Sequence, residues 1–150
     1  MIDIQLAPET LKMLTEQKKS ISDAIMKGFR DGMYSLEAKV KNSFGKTGFL
    51  NVRTGHLRRS IKVTIKREGS EIVGAIGSNV KYAAIHEYGG VIKAKNKPYL
   101  HFKTSKGNWV RVKQVTIPKR PFIAPFLKSG ARTIERNINE EIAKATGGNK

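Results

Sequence analysis

The apolar positions Leu11, Leu14, Ile21, Ile25, Phe29, Leu36 and Val40 recur at spacings of three, four and seven. That period places them on one face of a helix and predicts a long amphipathic helix from Pro8 to about Val40. Pro8 suits a first helical turn and Glu9 complements the helix dipole there. Gly28 and Gly32 lower local propensity without breaking the period, which predicts a close helix neighbour or a bend. Beyond them the period changes to two. Ile61, Val63 and Ile65 alternate with Lys62, Thr64 and Lys66, and Glu68-Gly69-Ser70-Glu71 leads into Ile72, Gly74 and Ile76, which predicts a β-hairpin. The apolar run Val80 to Tyr88 reads as a helical turn closed by Gly89-Gly90. Strands are expected at Tyr99–Lys103 and Trp109–Thr116, joined by Ser105-Lys106-Gly107-Asn108. After Pro118, Pro121 and Pro125, the spacing of Leu127, Ile134, Ile138 and Ile142 predicts a second amphipathic helix ending near Gly147-Gly148.

Helix, strands and helix in that order predict an α+β fold, with a long N-terminal and a C-terminal helix packed on an antiparallel sheet of about four strands. At 150 residues the chain suits one domain, 1–150. Residues 42–56, with Gly45, Gly48 and Gly55 among polar neighbours, are expected to be a flexible loop, and 146–150 a frayed tail. The chain has no cysteine, so disulfide scaffolds, thiolate zinc sites and cysteine nucleophiles are excluded. No stretch approaches the roughly 20 apolar residues of a membrane span, so no membrane association is expected.

Charge sharpens this picture. The formal net charge is +17, and acids and bases are segregated. Six of twelve acidic residues precede position 38, while none lies between Tyr88 and Ile134, where eleven Lys or Arg stand. A middle segment of that kind attracts phosphates or acidic protein surfaces through long-range potential. It is also compatible with a purely solvated surface.

Candidate chemistry fails residue by residue. His86-Glu87 begins like a zinc-protease motif, but Gly90 stands where the second histidine is needed. The three histidines, His56, His86 and His101, lack clustered carboxylates. Glu37 and Lys39 have the letters of a nuclease pair, yet residues two apart on a helix do not share a face. The glycines between 45 and 55 do not follow a phosphate-loop order, and no Gly-x-Ser-x-Gly is present. Neither a cofactor, a metal nor an enzymatic role is expected.

Three segments taken in order carry a resemblance. They are Val52-Arg53-Thr54-Gly55-His56-Leu57-Arg58-Arg59-Ser60-Ile61, Ile76-Gly77-Ser78-Asn79-Val80-Lys81-Tyr82-Ala83-Ala84-Ile85-His86-Glu87-Tyr88-Gly89-Gly90, and Ile117-Pro118-Lys119-Arg120-Pro121-Phe122-Ile123-Ala124-Pro125-Phe126-Leu127. The set resembles phage virion morphogenesis and tail-completion proteins, including the Mu G-like group and related minor tail and neck proteins. A basic insertion at 91–117, carrying an extra hairpin, departs from the pattern. The resemblance implies a structural component of a tailed-phage virion, assembled in the bacterial cytoplasm. It implies a homo-oligomeric ring, a homohexamer, at the head-tail junction, in contact with connector or head-closure proteins and with tail-terminator or tail-tube proteins. A stand-alone basic nucleic-acid-binding protein of ribosomal or chromatin type is the alternative.

In that setting Arg53, Arg58, Arg59 and Arg120 are interface candidates, able to meet carboxylates or phosphates or else to remain solvated. Phe122 and Phe126, held by the prolines, are expected to anchor either the core or a subunit contact. His86 and Glu87 are expected to bond across a subunit boundary or to fix their own turn. Lys93, Lys95, Lys97, Lys103, Lys106, Arg111, Lys113 and Lys119 are candidates to face double-stranded DNA without reading its sequence. Tyr99 and Phe102 alternate along a strand, so at most one joins Trp109 on a stacking surface, and core packing is expected for both rings.

Overall fold

The computed structural model describes residues 8–46, 50–104 and 106–147. The side chains of Pro8 and Leu11 also lie outside that description, as do Gly48, Ser105 and the end of the expected tail, 148–150. The class is α+β, as the periodicities predict. Four helices and six strands are present among the described residues: α1 (Pro8–Ser43), α2 (His56–Ser60), β1 (Ile61–Glu68), β2 (Glu71–Ser78), α3 (Ala83–Tyr88), β3 (Gly90–Lys93), β4 (Leu100–Lys103), β5 (Trp109–Val112), β6 (Gln114–Ile117) and α4 (Ala124–Ala145).

The sheet expectation needs correcting. The strands pair as three two-stranded ladders, β1 with β2, β3 with β6 and β4 with β5, instead of one sheet of about four. The reason is nesting: β4 and β5 lie between β3 and β6 in the chain, so the four fold back on one another as a single ribbon. The first helix also runs three residues past Val40, and the short helix α2 went unforeseen because its five residues hold too little of a period.

Contacts divide the chain into two units. The first comprises residues 1–39, 62–76 and 126–150. Its centre is a crossing of α1 and α4 held unusually close by glycine. A Cβ on Gly28 would stand 2.6 Å from Ile138 Cα, one on Gly32 2.6 Å from Ile134 Cα, and one on Gly130 2.8 Å from a methyl of Leu36. These pairings step down one helix as they step up the other, so the helices are antiparallel. Lys27 Nζ meets Glu141 Oε2 at 2.7 Å along the same seam. On another face of α1, Phe29 and Met33 close over Gly74 of β2, and Glu37 Oε2 accepts from Val63 N–H at 2.8 Å. Gly28, Gly32 and Leu36 thus face α4 while Phe29, Met33 and Glu37 face the hairpin, two adjacent faces of α1 about 100° apart.

The second unit comprises residues 40–61 and 77–125. Its core is Val40, Phe44, Leu50, Ile61, Ala83 and Phe122, and the Phe44 and Phe122 rings meet edge to face at 5.4 Å. Segment 42–56 thus supplies two core residues, Phe44 and Leu50, with Gly45 N–H donating to Leu50 O at 2.9 Å; its residues 47–49 lie outside the description. The ribbon β3–β6 belongs to this unit. The two ladders of this arm run Gly90↔Ile117 to Lys93↔Gln114 and Leu100↔Val112 to Lys103↔Trp109, offset from one another by residues 94–99, with Ala94 N–H donating to Lys113 O just beyond the first. No described residue of 90–117 is buried.

Candidate interaction surfaces

The second motif of the sequence resolves into a cap. In α3 the side chain of Glu87 points inward, 7% exposed. Its Oε2 accepts from Phe122 N–H (2.8 Å) and Ile123 N–H (3.1 Å), and its Oε1 from Ala124 N–H (2.9 Å). Ala124 N–H is an orphan donor of the first turn of α4 and the other two lie just ahead of it, where negative charge is also favoured by the helix dipole. Glu87 is therefore spent within the chain. Arg120 N–H donates to His86 O at 2.8 Å, tying the proline segment to α3 a second time. Gly89 closes α3 with φ of 74°, and a Cβ there would stand 2.9 Å from Lys119 N, so both conformation and space demand glycine.

Around this joint lies a groove of about 650 Å³. One wall is the segment 50–58, which enters α2 through Gly55 at φ 71° with His56 N–H donating to Thr54 Oγ1. The other wall is Tyr82, His86 and Arg120. Phe44, Leu50 and Leu57 supply apolar surface, while Arg53, Arg58 and Arg120 are exposed. A second concavity on the same segment adds Lys41 and Arg59 to Arg53 and Arg58. Four of the expected interface residues, Arg53, Arg58, His86 and Arg120, thus line one groove, and Arg59 sits on the neighbouring one.

His86 stands edge-on to Tyr82, and its Nδ1 is buried with no hydrogen-bond partner among the described residues. Of the two expectations for this residue, a bond across a subunit boundary or one fixing its own turn, no described group bonds Nδ1 to supply the second. Burial first, and the charge of Arg120 second, hold its pKa below the ordinary histidine value. Phe122, 1% exposed, is a core anchor, whereas Phe126 is half-buried at the start of α4.

All eight basic residues singled out for DNA, Lys93 through Lys119, are exposed. On one face of the arm His101 stacks on Trp109 at 4.7 Å, and the Arg111 guanidinium lies 4.3 Å over the Tyr99 ring. Core packing of Tyr99 and Phe102 is corrected by this arrangement. Both rings are exposed, as is Trp109 at 66%, because a lone two-stranded ribbon has no second layer to cover them.

Among the described residues there is no cluster of His, Asp and Glu suited to a metal, and no helix long and apolar enough to cross a membrane. No curated protein and no solved structure matches this chain at a significant level. The model of the phage virion morphogenesis family matches residues 33–144, which takes in the Glu87 cap, the basic groove, the arm and nearly all of α4. The chain accordingly belongs to the phage virion morphogenesis family, a family of structural proteins of the virion.

Proposed function

We propose that this protein is a tail-completion or neck component whose copies close into a homohexameric ring at the head-tail junction, and that its basic arm borders the path of double-stranded DNA. Connector or head-closure proteins on one side and tail-terminator or tail-tube proteins on the other are its partners in this reading. One observation carries it: the second unit holds fifteen Lys or Arg against a single acid, Glu87, which is buried in the α4 cap. Its surface is thus cationic throughout. Seven of the eight arm and arm-base candidates are lysines, whose ammonium groups make point-charge contacts and carry no base code, as a conduit for sliding phosphates requires.

The reading is tested in two steps. Native mass measurement near physiological salt is expected to give a closed oligomer. Particles assembled with Lys93→Glu, Lys95→Glu and Lys97→Glu together are expected to lose DNA retention or ejection. Normal DNA handling by those particles removes the conduit role even if the ring stands. A stand-alone nucleic-acid-binding protein is the second reading, favoured by the exposed stacked pairs His101–Trp109 and Arg111–Tyr99, a surface on which bases can stack. A stable monomer or dimer that binds single strands through Trp109 decides for it.

A further inference from the structure

The groove beside α3 differs in chemistry from the arm. Its fixed cations are Arg53, Arg58 and Arg120, with no lysine among its lining residues, whereas the arm is lysine-rich. Guanidinium forks bind planar oxyanions in two-point fashion, which an ammonium cannot do. None of the three arginines is in an ion pair among the described residues, and no acid lines the groove. Phe44, Leu50, Val52, Leu57 and Tyr82 add apolar surface to its lining. A phosphate backbone has nothing to place on such surface. A duplex presents its phosphates on a convex cylinder with grooves about 12 Å and 6 Å wide, a shape that does not enter a concavity of about 650 Å³. That volume falls in the range of ligand-sized sites, which extended peptide segments of a few residues occupy.

We propose that this groove is the docking site for an acidic peptide segment of a partner protein, with carboxylates held by Arg53, Arg58 and Arg120 and an apolar side chain seated over Phe44, Leu50 and Leu57. The inference goes beyond the ring and conduit reading and does not depend on it, since the groove is formed within one unit of one chain. The unpartnered His86 Nδ1 at its wall supplies a further hydrogen-bonding group and a local reporter.

The probe is a fluorescein-labelled short peptide in which glutamates alternate with leucines, compared with the same peptide carrying glutamine, at about physiological salt where long-range attraction is screened. Arg53→Gln, Arg58→Gln and Arg120→Gln are combined in one full-length variant. Lys93→Gln, Lys95→Gln and Lys97→Gln in another remove the same charge from the arm. The three arginines are exposed and outside any ion pair among the described residues, so an unchanged melting temperature is expected in the groove variant. The expected result is binding of the glutamate peptide that weakens about tenfold or more in the groove variant and stays nearly unchanged in the arm variant. It is accompanied by shifts of the His86 ring signals in the NMR spectrum of the wild-type protein. Replacing the three arginines by lysine restores the charge without the forks and is expected to recover only part of the affinity.

Equal weakening by both variants reduces the effect to net charge and overturns the proposal. So does equal binding of the glutamine peptide, or a DNA oligonucleotide that displaces the peptide and itself loses affinity in the groove variant. Concentration-dependent self-association abolished by the groove variant, with no peptide binding, assigns the groove to a second copy and overturns it as well.

Discussion

At the scale of the residue, Glu87 illustrates how one side chain joins two motifs. Its carboxylate gathers three backbone N–H groups at the start of α4. Glu87→Ala leaves those donors without their acceptor and is expected to cost about 3 kcal/mol, read as a lower denaturation midpoint at unchanged m-value. Glu87→Gln keeps one acceptor oxygen and is expected to cost less. Phe122→Ala, removing a ring 1% exposed, is expected to cost about 3 to 5 kcal/mol, and Phe126→Ala, half-buried, clearly less. His86 gives a pH dependence of definite sign. Its folded-state pKa lies below the ordinary 6.5, through burial and then Arg120, so between the two values the unfolded chain binds more protons than the folded one. Stability is therefore full above about pH 6.5 and declines as pH falls through the window down to the lowered value. Chemical denaturation across that window, repeated with His86→Gln, measures the contribution; an unchanged slope in the variant refutes it.

At the scale of the element, the crossing of α1 and α4 is set by small residues at steps of four. Gly28 and Gly32 are poor helix formers, and on an isolated helix alanine in their place gains about 1 kcal/mol. In the folded chain the sign is reversed. A Cβ at Gly28 meets Ile138 Cα and Asn137 O, both backbone, within 2.7 Å. No rotamer change relieves that overlap, and overpacking of this kind costs roughly 1 to 3 kcal/mol. Gly28→Ala is expected to lower the melting temperature, and Ile138→Ala in the same chain is not expected to rescue it. A rise instead shows the helices free to part. The arm obeys a different logic: a two-stranded ribbon in which no described residue is buried draws little stability from its own faces.

At the scale of the whole molecule, charge is the organising variable. Of the net +17, nearly all resides in residues 40–61 and 77–125. Binding to a DNA duplex is expected to be indifferent to sequence and to fall steeply with salt. Glutamate at positions 93, 95 and 97 together is expected to flatten the log-log salt dependence by about one per lost phosphate contact. A slope identical to wild type places those lysines away from DNA. The segregation itself was legible in the sequence, as were both long helices, the β1–β2 hairpin and the order of the three motifs that marks the family. Each of these is written in local period, composition or chain order, which burial on one face of an element imposes on neighbouring residues. Only the tertiary structure decided what Glu87 does, because its partners are 35 to 37 residues away and are backbone groups, which carry no sequence signature. It likewise decided that Arg53 and Arg58 share a groove with His86 and Arg120, and that Tyr99, Phe102 and Trp109 lie exposed on a ribbon. A pattern of alternation assigns a side chain to a face, but whether another layer covers that face depends on chain segments the alternation does not contain.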